Sequence, residues 1–220
     1  MNRKLFLDSA SIEEAKQCID MGIVDGVTTN PSLFSKQPKG DFISHCQELA
    51  QVCNGLPLSV EIFCDDPDLM FEEALKIYGK IDYSGLNIKI PIGVRELSVI
   101  RKLSKLNIAV NCTCCFTYSQ MLMAAKAGSR YVSLFYNRAL DRGEDSNQIL
   151  EETNNYIFNS NLDCEIISGS IRKSSDVTTA WFSGSHIVTA SMDIIKDMCV
   201  HEGTTESVNG FLEDFREWIS

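Results

Sequence analysis

Leu86-Asn87-Ile88-Lys89-Ile90-Pro91-Ile92 places a single cation inside an apolar, β-branched run. Such a run reads as a strand buried on both faces, as in a parallel sheet. Pro91 marks its end. A lysine at the end of a buried strand is costly unless it is paired or neutral. Desolvation lowers a lysine's pKa, and a neutral amine is a nucleophile. Lys89 therefore has two readings. It is a Schiff-base lysine that attacks a substrate carbonyl, or it snorkels out of the strand end or is salt-bridged there.

Outward from this run the pattern repeats. Apolar runs at Leu5–Ser9, Gly26–Asn30, Leu58–Phe63, Leu86–Ile92, Ile108–Thr113, Tyr131–Tyr136, Cys164–Ser170 and His186–Ser191 alternate with helix-like segments. Ser9 or Ser11 caps the first helix. Asp66-Pro67 opens another, with proline at its first position. Thr117–Ala127 stops at Gly128. Eight βα units in this length predict a single (β/α)₈ barrel, one domain over residues 1–220. A doubly wound open sheet is the alternative, but no Gly-rich phosphate loop follows the first strand. The tail Ser207–Ile219 reads as an additional C-terminal helix. Its Phe211, Phe215 and Trp218 share one apolar face that caps the barrel or packs on a neighbouring subunit.

The 220 residues carry a formal charge of −10. That balance argues against nucleic acid as the main partner. It still allows an anionic small substrate, since one or two arginines in a pocket suffice. Met1-Asn2-Arg3-Lys4 runs straight into a strand, so no signal peptide is expected. No stretch approaches a membrane span. Nine cysteines without a signal point to reduced thiols in a cytoplasm. Cys112-Thr113-Cys114-Cys115 has no second ligand pair, so no metal is expected. On a regular strand Cys112 and Cys114 face away from Thr113 and act as small buried hydrophobes.

In a barrel, functional groups gather at the C-terminal ends of the strands. The polar residues there are Asp8, Asn30, Glu61, Lys89, Asn111 with Thr113, Ser133 and Ser170. Asp8 and Asn30 could instead cap helices. His45, His186 and His201 all lie elsewhere, so the general acid or base must be a carboxylate. Glu61, inside a buried strand, is the first candidate because desolvation raises its pKa. Asp8 is the second. Arg138 and Arg172, with Ser170, follow late strands where helices open, a common phosphate site.

These residues resemble the transaldolase family in its short form, which includes fructose-6-phosphate aldolases. The resemblance spans essentially the whole chain. It is carried by Leu5-Phe6-Leu7-Asp8, Asp25-Gly26-Val27-Thr28-Thr29-Asn30-Pro31-Ser32, Asn87-Ile88-Lys89-Ile90-Pro91, Ala124-Ala125-Lys126-Ala127-Gly128 and Ser168-Gly169-Ser170-Ile171-Arg172. It implies Lys89 as the Schiff-base nucleophile and Asp8 as the carboxylate that holds and deprotonates donor hydroxyls. It implies that Glu61 and Thr113 bind the proton-shuttling water. Asn30, Asn111 and Ser133 match residues that bind the dihydroxyacetone unit, with Thr29 in the same motif. Arg138, Ser170 and Arg172 match the phosphate binders. Glu61 and Phe135 are of the transaldolase type, where the aldolase branch has glutamine and tyrosine. The resemblance thus implies a transaldolase acting on sugar phosphates, without a cofactor, as a pentamer or decamer. Cys114-Cys115, Leu134, Tyr136-Asn137 and Lys173-Ser174-Ser175 depart from the usual pattern. They leave room for an aldolase, or for a transaldolase of another anionic ketose such as a sulfonated sugar.

Overall fold

The computed structural model describes residues 3–62, 64 and 66–220. Phe63, the expected end of the third apolar run, and Met1-Asn2 lie outside the described residues. Eight strands form a closed barrel in sequence order. Every neighbouring pair, including the closing pair of first and last strands, is parallel. The first half of the chain holds β1 (Lys4–Asp8), α1 (Ile12–Asp20), β2 (Gly26–Thr28), α2 (Pro31–Phe34), α3 (Phe42–Cys53), β3 (Leu58–Glu61), α4 (Pro67–Ile81) and β4 (Leu86–Pro91). The second holds α5 (Glu96–Lys105), β5 (Val110–Cys115), α6 (Tyr118–Ala127), β6 (Tyr131–Phe135), α7 (Tyr136–Leu140), α8 (Ser146–Asn159), β7 (Glu165–Gly169), α9 (Ser174–Phe182), β8 (Ile187–Ala190), α10 (Met192–Asp197) and α11 (Glu202–Ile219). This is the expected (β/α)₈ barrel with an added C-terminal helix.

Local chemistry sets the helix ends. Ser11, not Ser9, caps α1 by accepting from the Glu14 backbone N–H. Asp66 caps α4, with Pro67 at the first helical position. Thr117 and Gln120 form a reciprocal capping box on α6, and Gly128 ends it at φ 101°. Glycine takes that left-handed conformation without the clash a Cβ would bring.

Alternation along the strands divides the core into two shells. Outward residues such as Leu7, Val27, Val60, Ile88, Val110, Val132, Ile166 and Val188 join the helices in the main hydrophobic cluster. Phe6, Tyr131, Ile167 and Ile187 form a separate cluster that plugs the inside of the barrel. The interior positions above it carry polar side chains, which builds a site on a packed floor.

β5 departs from the expected alternation. Its register with β6 shifts between Cys112 and Cys115, and Cys114 sits at φ 61°. A bulge of this kind inserts one extra residue and re-aims a side chain. The strand also runs two residues beyond the expected end at Thr113. α11 begins five residues earlier than the expected tail helix, and none of its residues is buried. Phe211, Phe215 and Trp218 are all exposed, Trp218 at 81 %. The apolar face therefore does not cap its own barrel.

Gly26 lies opposite Phe6 in the β1–β2 register. A Cβ at Gly26 would meet Cζ of the Phe6 ring at 2.6 Å. Gly26→Ala is expected to destabilise the fold by about 1–3 kcal/mol, as overpacking does. A smaller ring-site residue, Phe6→Leu, should couple favourably with it in a double-mutant cycle. Additive losses in thermal unfolding would show that the ring does not press on Gly26.

Candidate active site

A cavity of about 190 Å³ opens at the C-terminal ends of the strands. The inward turn of each strand decides what lines it. Asp8 and Thr28 are register partners on β1 and β2, Glu61 and Lys89 on β3 and β4, and Lys89 and Asn111 on β4 and β5. Polar side chains from seven of the eight strands, all but β7, thus reach a common space.

Lys89 is buried, with 6 % of its surface exposed. Its Nζ donates to the Thr29 carbonyl at 2.7 Å and forms an ion pair with Glu61 Oε2 at 3.4 Å. The structural reading, a lysine paired at the strand end, is what these contacts show. It is paired, and it faces the cavity. Asp8 accepts from Thr28 Oγ1 at 2.9 Å, and the Thr28 and Thr189 hydroxyls are 2.6 Å apart. Asp8 caps no helix. Burial pushes its carboxyl above the ordinary carboxylate range, against the pull of Lys89 and the Thr28 hydrogen bond. Ser133 Oγ donates to Asn111 Oδ1 at 2.6 Å, and Asn111 Nδ2 donates to Ser59 Oγ at 3.2 Å. This chain holds the Asn111 amide in one orientation. Thr113 is 1 % exposed, and among the described residues its Oγ1 has no hydrogen-bond partner. A buried hydroxyl without a partner is costly, and this one lines the cavity.

Asn30 lines the cavity and also caps α2, its Oδ1 accepting from the Leu33 N–H at 3.1 Å. Phe135 forms one wall. Phe116 meets it edge-on at 5.7 Å between centroids, and the Arg138 guanidinium lies 4.7 Å above its ring. Arg138 and Ser170 line the mouth, and Ser170 takes a left-handed φ of 60°.

Two expected residues are placed differently. Thr29 is fully buried, and its hydroxyl donates to the Ser59 carbonyl at 2.8 Å. It serves the site through its own carbonyl, which holds Lys89. The inward hydroxyl of that pair is Thr28, as a period of two from Gly26 would have indicated. Arg172 does not line the cavity. It makes a bidentate contact with Asp141 instead. The backbone N–H groups of Arg172 and Lys173 both donate to Asp176 Oδ2 at 3.2 Å. The start of α9, expected to take an anion, is thus already occupied by the chain's own carboxylate.

Sequence reasoning also missed Cys114. The β5 bulge turns it to the cavity beside Thr113, rather than away from it, while Cys112 and Cys115 remain buried. Only the bulge decides this, and a cysteine triplet gives no sign of one. All nine cysteines are free thiols. Among the described residues no group of His, Cys, Asp or Glu is placed to hold a metal ion, and no helix is long and apolar enough to cross a membrane.

Comparison with known proteins follows the same lines. A family model described as transaldolase/fructose-6-phosphate aldolase matches residues 5–219. A probable transaldolase of Thermoplasma volcanium is 40 % identical over 216 residues, 97 % of this chain and 96 % of the relative. One from Thermoanaerobacter sp. is 38 % identical over 214 residues, 97 % of each chain. One from Clostridioides difficile is 34 % identical over 212 residues, 96 % of each.

The buried carboxyl of Asp8 makes a stability prediction. A carboxyl whose folded-state pKa is raised opposes folding when it ionises. The penalty is absent below the unfolded pKa and complete above the folded one. Asp8→Asn is therefore expected to unfold at a higher temperature than the wild type at about pH 8. The gain should shrink as pH falls through the carboxylate range near about 4. Equal gains at both ends of that titration would place the cause outside ionisation.

Proposed function

The chain belongs to the transaldolase/fructose-6-phosphate aldolase family, and from that premise we propose that it is a Schiff-base transaldolase. It moves a dihydroxyacetone unit from a phosphorylated ketose, of the fructose 6-phosphate or sedoheptulose 7-phosphate type, to an aldose phosphate. The whole chain acts as one barrel domain. The observation that carries this reading is the Lys89 amine, buried at the cavity wall between Glu61 Oε2 and the Thr29 carbonyl.

In this reading Lys89 Nζ adds to the ketose carbonyl, and loss of water gives an imine. The imine is the electron sink, so no separate cofactor enters. Asp8 takes the proton from the C4 hydroxyl as the C3–C4 bond breaks. Its raised pKa suits a base that must give the proton back. The aldehyde fragment leaves, and the three-carbon enamine stays on Lys89. An acceptor aldehyde then adds at the enamine carbon, and Asp8 protonates the new alkoxide. Glu61 and Thr113 hold the water that forms and hydrolyses the imine. Asn111, oriented by Ser133 and Ser59, and Asn30 bind the hydroxyls of the three-carbon unit. Arg138 and Ser170 meet the anionic end, where a sulfonate would also fit.

Phe135 favours transfer over release. A phenyl ring has no proton to give to the enamine carbon, so the enamine persists until an acceptor arrives. An aldolase releasing free dihydroxyacetone is the competing reading. Borohydride with a ketose donor is expected to inactivate the enzyme and to leave one reduced three-carbon unit on Lys89, located by peptide mass spectrometry. Donor and acceptor together should turn over much faster than donor alone, with phosphorylated and sulfonated ketoses both assayed. An adduct on another lysine would remove the mechanism. Equal rates with and without acceptor would make the enzyme an aldolase.

We propose further that α11 packs on a second copy of the chain, within a pentamer or decamer. Most helical stability in proteins comes from packing an apolar face, and α11 buries no residue of its own. Light scattering at micromolar concentration is expected to give a mass several times the 24.6 kDa of one chain. A monomer would remove the proposal.

A further inference from the structure

The guanidinium of Arg172 is held by a protein carboxylate in the geometry an anion would use. Its Nη1 donates to Asp141 Oδ1 at 2.8 Å, and its Nη2 donates to Asp141 Oδ2. Two parallel N–H···O bonds are also how arginine grips a phosphate. Both side chains are about half exposed, 53 % for Arg172 and 52 % for Asp141. Solvated ion pairs of this kind are weakly held and readily exchanged.

The backbone beneath Arg172 is fixed while its side chain is not. Asp176, buried at 6 % exposure, accepts from the Arg172 N–H and the Lys173 N–H. It also accepts from Asn137 Nδ2 at 2.8 Å, which ties the loop to α7. Ser170, two residues earlier, lines the cavity mouth, and two residues span at most about 7 Å. Side-chain torsions alone therefore bring the Arg172 guanidinium from Asp141 towards the mouth. Asp141 follows α7, three residues after Arg138, which already lines the cavity. Arg142 lies next to it, 5.3 Å above the Phe116 ring. Asp141 thus feels the charges of Arg172 and Arg142, with Arg138 of the cavity mouth three residues before it.

We propose that Asp141 is an internal competitor for the substrate's anionic group. It parks Arg172 in a bidentate pair, and the phosphate or sulfonate of an incoming sugar takes its place. Asp141 thereby sets how tightly the site holds anionic sugars, and it returns Arg172 to the parked position when product leaves. This rests on the reading of the site as one for anionic ketoses. Asp141 touches no reacting atom and acts through Arg172, so it is a specificity-determining residue.

Asp141→Asn keeps the size and removes the competing charge. The Asp141 side chain is exposed, and its backbone N–H donates to the Asn137 carbonyl at 3.0 Å regardless of the side chain. A thermal melt checks that the variant is folded. KM for a phosphorylated ketose is expected to fall about two- to fivefold, the range for an exposed pair, with kcat little changed. KM for an uncharged ketose should stay put. Calorimetric titration with inorganic phosphate should show binding tightened by a similar factor. In an Arg172→Ala background the same substitution should change neither KM nor phosphate affinity. A KM that rises would mean that Asp141 positions Arg172 productively, and would overturn the proposal. An unchanged KM with unchanged phosphate affinity would overturn it as well. If the wild type does not distinguish phosphorylated from uncharged ketoses, the anionic substrate reading fails instead. The phosphate titration still decides the role of Asp141 in that case.

Discussion

The ion pair between Lys89 and Glu61 is the constraint around which the upper barrel is organised. An amine buried this deeply needs compensating partners. The structure supplies them from the two preceding strands: the Glu61 carboxylate from β3 and the Thr29 carbonyl just beyond β2. Thr29 can offer its carbonyl because its own hydroxyl is tied to Ser59. The Ser59 hydroxyl in turn accepts from Asn111, and Asn111 accepts from Ser133. A connected polar layer therefore runs from β2 to β6. Removing one partner of a buried pair costs about 3–5 kcal/mol, because the other charge is left uncompensated. The layer holds its shape because each member would be expensive to leave alone.

That polar layer is possible because the floor below it is apolar and closed. Phe6, Tyr131, Ile167 and Ile187 fill the barrel from the opposite end, and Gly26 gives up its side chain so that the Phe6 ring fits. The floor keeps bulk water from reaching the site from beneath. Stability and function are thus separated along the barrel axis, with packing at one end and strained or ionised groups at the other. Asp8 marks the cost of this division. Its carboxyl is pushed up by burial, which weakens the folded state when the group ionises.

The parts that were legible in sequence are those governed by short-range periodicity. Polar residues at the ends of apolar runs marked Asp8, Glu61, Lys89, Asn111, Thr113 and Ser133, and local signals marked the starts of α1 and α4 and the end of α6. The parts that were not legible depend on partners distant in sequence or on broken periodicity. The bulge in β5 reverses the direction of Cys114, and no residue type in Cys112-Thr113-Cys114-Cys115 demands it. Arg172 has four side-chain torsions, and its position is decided by Asp141, 31 residues away. Asp176 takes the helix N-terminus that the sequence suggested for an anion, although an aspartate three residues into a helix is itself a capping signal. The apolar stripe of α11 was readable, but a stripe does not say on which body it packs.

Control of water is where these features converge. In the proposed reaction one water must hydrolyse the final imine, and none may protonate the enamine before the acceptor adds. Among the described residues the Thr113 hydroxyl is buried without a hydrogen-bond partner, and Glu61 is the register partner of Lys89. The Phe135 ring lines the same cavity, fixed by Phe116 at its edge and by Arg138 over its face. Neither contact offers a proton to the enamine carbon through the ring. A tyrosine there would carry a hydroxyl, and with it a proton source, into the same space. In the proposed reaction the balance between transfer and release is then set by whether position 135 carries an acidic hydrogen, with Lys89 chemistry common to both outcomes.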